Sequence, residues 1–385
     1  MQKSINHIYL IILLAILSSI APMGVDAYLP SIPDIATSFN VNIHKVELSL
    51  SIFLTGFAIG QIFGGPISDR YGRRLSSVYG LLGFSLFSFV IIFSSSIYEL
   101  WIYRFIEAFF GGIVVVNAAA SVRDRFHGPE AAKVFSLIGM VRSIAPLIAP
   151  AIGSAIIHFF PWEAVFIFLT IYSLVIAFFV YKDLPESFTK TKQKVLESFK
   201  LVLTHKTAMK AMITLGFTFG GYFVIIAKSS FIYIEYFKIN TDYFPFFFGI
   251  NIVVLMGIIK VNIALLKKYD PLTIVKTALL MQVFSGILFI LNYENISIVS
   301  TVLIIALYMS MMGFIFGNCM ALALEHFQKN AGVASSVSGV LQFGLGSIIS
   351  SLALSFHSEN FSVIAYSITI ISAISFLVIR TYKHS

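Results

Sequence analysis

Apolar blocks of about twenty residues, each closed by charged or turn-forming residues, recur from one end of the chain to the other. Their limits predict helices over residues 8–28, 47–67, 75–95, 99–122, 134–157, 162–181, 207–230, 243–266, 273–292, 297–322, 332–356 and 360–380. A helix of that length, rising about 1.5 Å per residue, spans a hydrocarbon core about 30 Å thick. The apolar residues fill whole blocks rather than one helical stripe, which is the pattern of helices whose surroundings are themselves apolar. The expected fold is an all-α membrane protein with twelve transmembrane helices. Lys3 and the Val25-Asp26-Ala27 triplet loosely imitate a secretory leader. The first block is too long for that, and many spans follow it, so it reads as the first membrane helix.

Composition agrees: 58% of the 385 residues are hydrophobic and only 11% are charged, against about 25% charged in a soluble domain. The net charge of +8 raises the question of nucleic acid, but the placement of the charges answers it. With the N-terminus in the cytoplasm, the cytoplasmic segments collect Arg70, Arg73, Arg74, Arg123, Arg125, Lys182 and the lysines from Lys190 to Lys210. The opposite side keeps Lys45 and Lys238. Such one-sidedness sets membrane orientation, so both termini are expected in the cytoplasm and no nucleic-acid partner is expected. Cys319 is the single cysteine; it allows no intrachain disulfide and is read as core packing.

The longest polar connection, 183–206, divides the chain into an N-terminal half (1–182) and a C-terminal half (207–385) of six helices each. Internal similarity supports a duplication. Ile102-Tyr103 through Gly112 aligns with Leu307-Tyr308 through Gly317, and the turn Asp69–Arg74 has a degenerate counterpart at Lys267, Lys268 and Asp270. Two pseudo-symmetric halves around a midplane site are a recurring transporter plan.

The segment Gly65-Pro66-Ile67-Ser68-Asp69-Arg70-Tyr71-Gly72-Arg73-Arg74 closely resembles the signature of the major facilitator superfamily. Within it, Gly64 and Gly65 are expected to let two helices approach closely. Asp69 is expected to face a helix N-terminus or a basic side chain as a cytoplasmic latch, with Arg70, Gly72, Arg73 and Arg74 completing the gating motif. Further residues resemble the Bcr/CflA group of drug-resistance proton antiporters: Asp26-Ala27-Tyr28-Leu29-Pro30, Arg104-Phe105-Ile106-Glu107-Ala108, Pro161-Trp162-Glu163, and the helix-five segment from Ala145 to Gly153. That last segment, with Pro146, Pro150 and Gly153, resembles the antiporter motif of exporters. Glu107 in place of Gln, Ala149 in place of Gly, and the added Arg142 depart from the group's pattern.

Ionisable groups inside a bilayer are costly and mark function. Depth along the helices puts Asp26, Arg104, Glu107 and Arg142 within reach of one another. A carboxylate balanced between desolvation and a neighbouring arginine can exchange protons. The resemblance assigns proton coupling to Asp26, with Arg104 and Glu107; a permanent Asp26–Arg104 bridge that only joins helices is the alternative. Glu107 is expected to pair with Arg142. Two acids balanced by two arginines would disfavour lipophilic cations. Tyr28, Gln61, Asn117, Arg142, Tyr222, Lys228 and Gln342 are the cavity candidates, although a polar or aromatic residue of this kind is more often a helix–helix hydrogen bond than a substrate contact. Lys260 is expected to snorkel to the surface, and most of the 39 Phe to face lipid.

The expectation is a monomeric, proton-coupled antiporter in the bacterial plasma membrane, exporting small molecules by alternating access and needing no cofactor. No nucleotide-binding loop appears in the sequence. A dedicated metabolite exporter or an importer of the same fold is the nearest alternative. A membrane-embedded sensor or enzyme is disfavoured, since no Ser/His or metal-ligand cluster is present in the sequence.

Overall fold

The computed structural model describes residues 7–126, 128–186, 195–327, 331–356 and 361–382. Side chains at 7, 123, 128–133, 135–143, 195–196, 295 and 331–332 lie outside the described set. Among the described residues there are helices and no strands. Eleven helical segments are long and apolar enough to cross a membrane, and Ile144–Phe159 supplies a shorter apolar one. The chain divides into two compact units, one of residues Met1–Lys192 with Asn240–Pro245, the other of Gln193–Ile239 with Phe246–Ser385.

The first unit opens with α1 (His7–Ser18), α2 (Ile20–Asp26) and α3 (Ile32–Ser38), bridged by a 3-10 turn at Leu29–Ser31. The sequence placed one helix at 8–28; the structure carries the helical span on to Ser38 and interrupts it at Ala27-Tyr28. Pro30 and Pro33 lack the N–H groups that would bond the carbonyls of Asp26 and Leu29, so a straight helix cannot be continued. There follow α4 (Ile43–Tyr71), α5 (Arg73–Ile91), α6 (Ile97–Arg125), α7 (Gly128–Phe159) and α8 (Glu163–Asp183).

Helices α4 and α6 touch backbone to backbone. A Cβ on Gly56 would lie 2.1 Å from the Phe105 carbonyl oxygen, and one on Gly60 would lie 2.0 Å from that of Phe109. Gly112 meets the Phe57 carbonyl in the same way, at 2.3 Å. In lipid, where burial of apolar surface gains little, this close van der Waals fit is what joins helices. Gly64 continues the seam against Ile113, but Gly65 has nothing within 4 Å. The expectation for Gly65 is therefore corrected: glycines spaced by four share a face, and Gly65 is off it.

The second unit begins with α9 (Val195–Thr204), inside the segment read as a plain connection. Its Val202 is buried in the core and Phe199 packs beside it. Next come α10 (Lys206–Ser230), continued by a π-helical turn at Phe231–Tyr236, then α11 (Phe244–Leu265) and α12 (Pro271–Asn292). Helices α13 (Ile298–Ser310) and α14 (Met312–Leu324) are the two parts of one expected span, and α15 (Ala331–Ser355) and α16 (Ser362–Arg380) complete the unit. Cys319 is buried in its core with Leu215, Leu279, Ile315 and Leu322, as packing predicts. Phe53, Phe57, Phe84 and Phe166 are fully buried, and only a minority of the phenylalanines are exposed. Most of the described phenylalanines are half-buried or exposed.

Candidate functional site

Arg104 lies on α6 with no solvent exposure. Its Nη1 donates to Glu107 Oε2 at 2.7 Å, one turn along the same helix. Its Nη2 donates to the Gly24 carbonyl at 2.9 Å. That carbonyl sits in the last turn of α2, where intrahelical donors run out. The Ser88 hydroxyl on α5 donates to Glu107 Oε1 at 2.6 Å. Three rings surround the guanidinium carbon: Phe53 at 4.2 Å, Tyr28 at 4.7 Å and Phe166 at 5.7 Å from their centroids. A buried cation is thus met by one carboxylate, one carbonyl and aromatic faces, the groups that best offset lost hydration.

Asp26 is placed differently. It ends α2 at the helix break, is 3% exposed, and its Oδ1 has no hydrogen-bond partner among the described residues. The expected closeness of Asp26 and Arg104 does not become an ion pair: Arg104 is taken by Glu107 and Gly24. Depth along a helix fixes height but not azimuth, and azimuth decided the pairing. The Arg142 side chain, and with it the expected Glu107–Arg142 pair, lies outside the described residues. The premise that both acids are neutralised by arginines fails at Asp26, so the argument against cationic ligands fails with it.

Helix α7 closes on the same break. A Cβ on Gly153 would lie 2.0 Å from the Ala27 carbonyl oxygen, so only glycine lets α7 pack there. Pro150 and Pro146 lie within α7, about one and two turns before it.

Several cavity candidates are occupied with packing. The Tyr28 hydroxyl meets Ser49 Oγ at 2.8 Å and its ring is fully buried. Asn117 Nδ2 donates to Ser76 Oγ at 2.7 Å, joining α6 to α5. Gln61 is buried on the α4–α6 seam, its Nε2 without a hydrogen-bond partner. In the second unit Tyr222 packs among Phe219 and Phe223. Lys228 is buried with its Nζ 5.2 Å from the Phe231 ring, so it does not reach a surface. Lys260 is exposed, and Gln342 is buried on α15.

The signature loop forms a second polar cluster in the first unit. Gly72 has φ +90°, and a Cβ there would strike the Glu186 carboxyl group at 2.6 Å. Glu186 Oε1 accepts from the Arg73 N–H at 2.6 Å and the Arg74 N–H at 3.4 Å, capping α5 where its dipole favours an anion. Arg73 pairs with Asp69 at 2.7 Å and with Asp124 at 2.9 Å, and also donates to Ser68. Arg70 and Arg74 lie against Tyr71 and Tyr181. Asp69 therefore has a basic partner within its own motif. Sequence reading named Tyr28 but missed Glu186, Ser88 and the other two rings around Arg104, Phe53 and Phe166. The paired prolyl-acid Pro185-Glu186 after α8 was the only linear signal for any of them.

Residues 14–351 match the family model of the Major Facilitator Superfamily. The chain belongs to this superfamily. This major facilitator protein is also 32% identical over 367 residues to a "Bicyclomycin resistance protein homolog" of Haemophilus influenzae, covering 94% of this chain and 92% of that protein. That agrees with the Bcr/CflA resemblance. A multidrug resistance protein, MdtL, of Escherichia coli is 26% identical over 83% of this chain and 82% of its own length. A D-xylose–proton symporter shares the fold, with a TM-score of 0.80 over 98% of each chain at 18% identity. The protein is a transporter of many membrane spans, and not an enzyme.

Proposed function

We propose that this major facilitator protein is a proton-coupled antiporter that exports small molecules, and that Asp26 carries the proton. The observation that supports the reading best is the buried Asp26 carboxyl group at a helix break, without a partner on its Oδ1. An ionised carboxylate held so costs several kcal/mol. It is relieved by a proton or by a cationic or hydrogen-bonding ligand, and these exclude one another. Competition for one carboxylate is the simplest way to exchange a proton for a substrate. Interrupted membrane helices are where transporters bind their cargo.

Arg104 and Glu107 then form a fixed pair that shapes the field at Asp26. The signature loop with Asp69 acts as the cytoplasmic latch in the first unit, and Lys228 and Tyr222 are the candidate substrate contacts in the second. The Lys/Arg distribution supports cytoplasmic termini in a bacterial plasma membrane. The resistance proteins among the relatives support drug-like cargo. Reconstitution in proteoliposomes under an imposed pH gradient tests the reading. Substrate moving against inward proton flow is the expected result; movement with the protons would make it an importer, and indifference to the gradient would sink proton coupling.

A further inference from the structure

Besides Asp26 and the Arg104–Glu107 pair, the first unit buries another titratable couple, for which the proposed cycle has no use. His44 and Glu47 lie near the Ile43 end of α4, at the opposite end of that helix from the signature loop. His44 Nδ1 and Glu47 Oε2 are 2.9 Å apart; Glu47 is fully buried and His44 is 7% exposed. Asn42 caps the helix, its Oδ1 accepting from the His44 N–H at 2.9 Å. The pair therefore rides on the first turns of α4, where the helix dipole favours negative charge.

A carboxyl group and an imidazole at this distance share a proton. With one proton the couple is neutral as a whole; with none it is an anion, and with two a cation. Burial penalises both charged totals, while the helix dipole eases the anionic one. Such a couple changes its net charge whenever it takes up or loses a proton.

The charges around it are those that move in the proposed cycle. Packed against α4, α6 carries Arg104, Glu107 and Glu99, the last bonded to the Ser95 N–H. On the α3 side stands Asp34, and the helix break brings Asp26 and Tyr28. Lys45 is on α4 itself, and the ionisable groups of α5, Arg73, Arg74 and Tyr79, lie toward its other end. Tyr28 makes the connection. Its hydroxyl touches Ser49 Oγ at 2.8 Å and the Val46 carbonyl at 3.4 Å, on either side of Glu47. Its ring lies against Arg104, and it is two residues from Asp26. A shift of the break is thereby passed to the turn of α4 that carries Glu47.

We propose that His44 and Glu47 form a second proton-binding site, which loads and releases its proton in step with the Asp26 segment. A proton from bulk water adds to the couple and later leaves it, and no other bond is made or broken. The inference rests on the proton-coupled reading but concerns different groups, so the two can fail separately.

Difference infrared spectroscopy of the full chain in lipid nanodiscs tests it, with titration from about pH 4 to about pH 9, a range that brackets carboxyl and imidazole groups. Wild type is compared with D26N, E47Q, H44N and Y28F. E47Q should lose a titrating carboxyl or imidazole component that D26N keeps. H44N should move the midpoint of that component by about one pH unit or more, tenfold in proton affinity, and Y28F should move it as well. Spectra of E47Q and H44N that superimpose on wild type at every pH would overturn the site, and an unmoved midpoint in Y28F would overturn its coupling to the break. If E47Q does not fold, H44N decides alone. A D26N spectrum that loses no component counts against Asp26 as proton carrier and leaves the His44–Glu47 site standing.

Discussion

Arg104 and Glu107 meet at 2.7 Å across one turn of α6, and both side chains are wholly buried. The pair is local to one helix, yet its remaining bonds run to α2 through the Gly24 carbonyl and to α5 through Ser88. It therefore joins three helices around a charge that lipid and aromatic rings keep from water. Breaking such a pair costs more than forming it gains, because the surviving charge stays buried.

Glu107→Ala should lower stability by about 3–5 kcal/mol, read as a fall in unfolding temperature in detergent. Glu107→Gln keeps one acceptor oxygen, for Arg104, while its amide N–H can donate to the Ser88 hydroxyl, so its loss should be clearly smaller. Equal losses in the two variants would mean that the acceptor contributes nothing and the net charge everything.

Asp26→Asn should fold and insert normally, since the Oδ1 of Asp26 has no hydrogen bond to lose. Proton-driven transport should disappear in it. Undiminished active transport by this variant under an imposed pH gradient would refute Asp26 as the proton carrier.

Binding of a lipophilic cation should weaken as pH falls, because protonation of Asp26 removes a negative charge that a cation could meet. In Asp26→Asn the affinity should be low and flat with pH. Titration of a fluorescent cation in detergent gives both curves, and a pH-dependent affinity surviving in the variant would place the competing group elsewhere.

Asp69→Ala removes one of two carboxylates on Arg73, at a half-exposed site, so stability should change by less than about 1 kcal/mol. Transport should slow while substrate binding is retained. Gly72→Ala should be harsher, as both its φ of +90° and the Glu186 carboxyl group exclude a side chain. Lost binding with unchanged exchange between conformations in Asp69→Ala would refute the latch.

Gly60→Ala and Gly65→Ala, five residues apart on α4, should behave oppositely. The first drives a methyl group into the Phe109 carbonyl and should cut the yield of folded, monodisperse protein. The second meets open space and should be neutral or slightly stabilising, since it restricts the unfolded chain. Size-exclusion profiles and thermal unfolding of the two proteins decide this.

The sequence by itself determined what depends on bulk solvation and on short-range chain chemistry. Blocks of apolar residues too long and too uniform for a soluble core specified the membrane helices, and the signature around Asp69 specified the superfamily. The motif from Asp26 to Pro30 marked an end to the first helix near residue 28, although Pro30 and Pro33 interrupt the span instead of ending it. Only the tertiary structure decided which charges meet. Arg104 could have turned toward Asp26 or Glu107 on depth alone, and the structure gives it to Glu107, one turn along the same helix, and to the Gly24 carbonyl. His44–Glu47 and Glu186 escaped for a related reason. Each is an ordinary residue near a helix end in the linear text, and burial or a partner more than a hundred residues away gives it its character. A hydropathy pattern records how much of a helix avoids water; it carries no azimuth, and pairing in a membrane bundle is decided by azimuth.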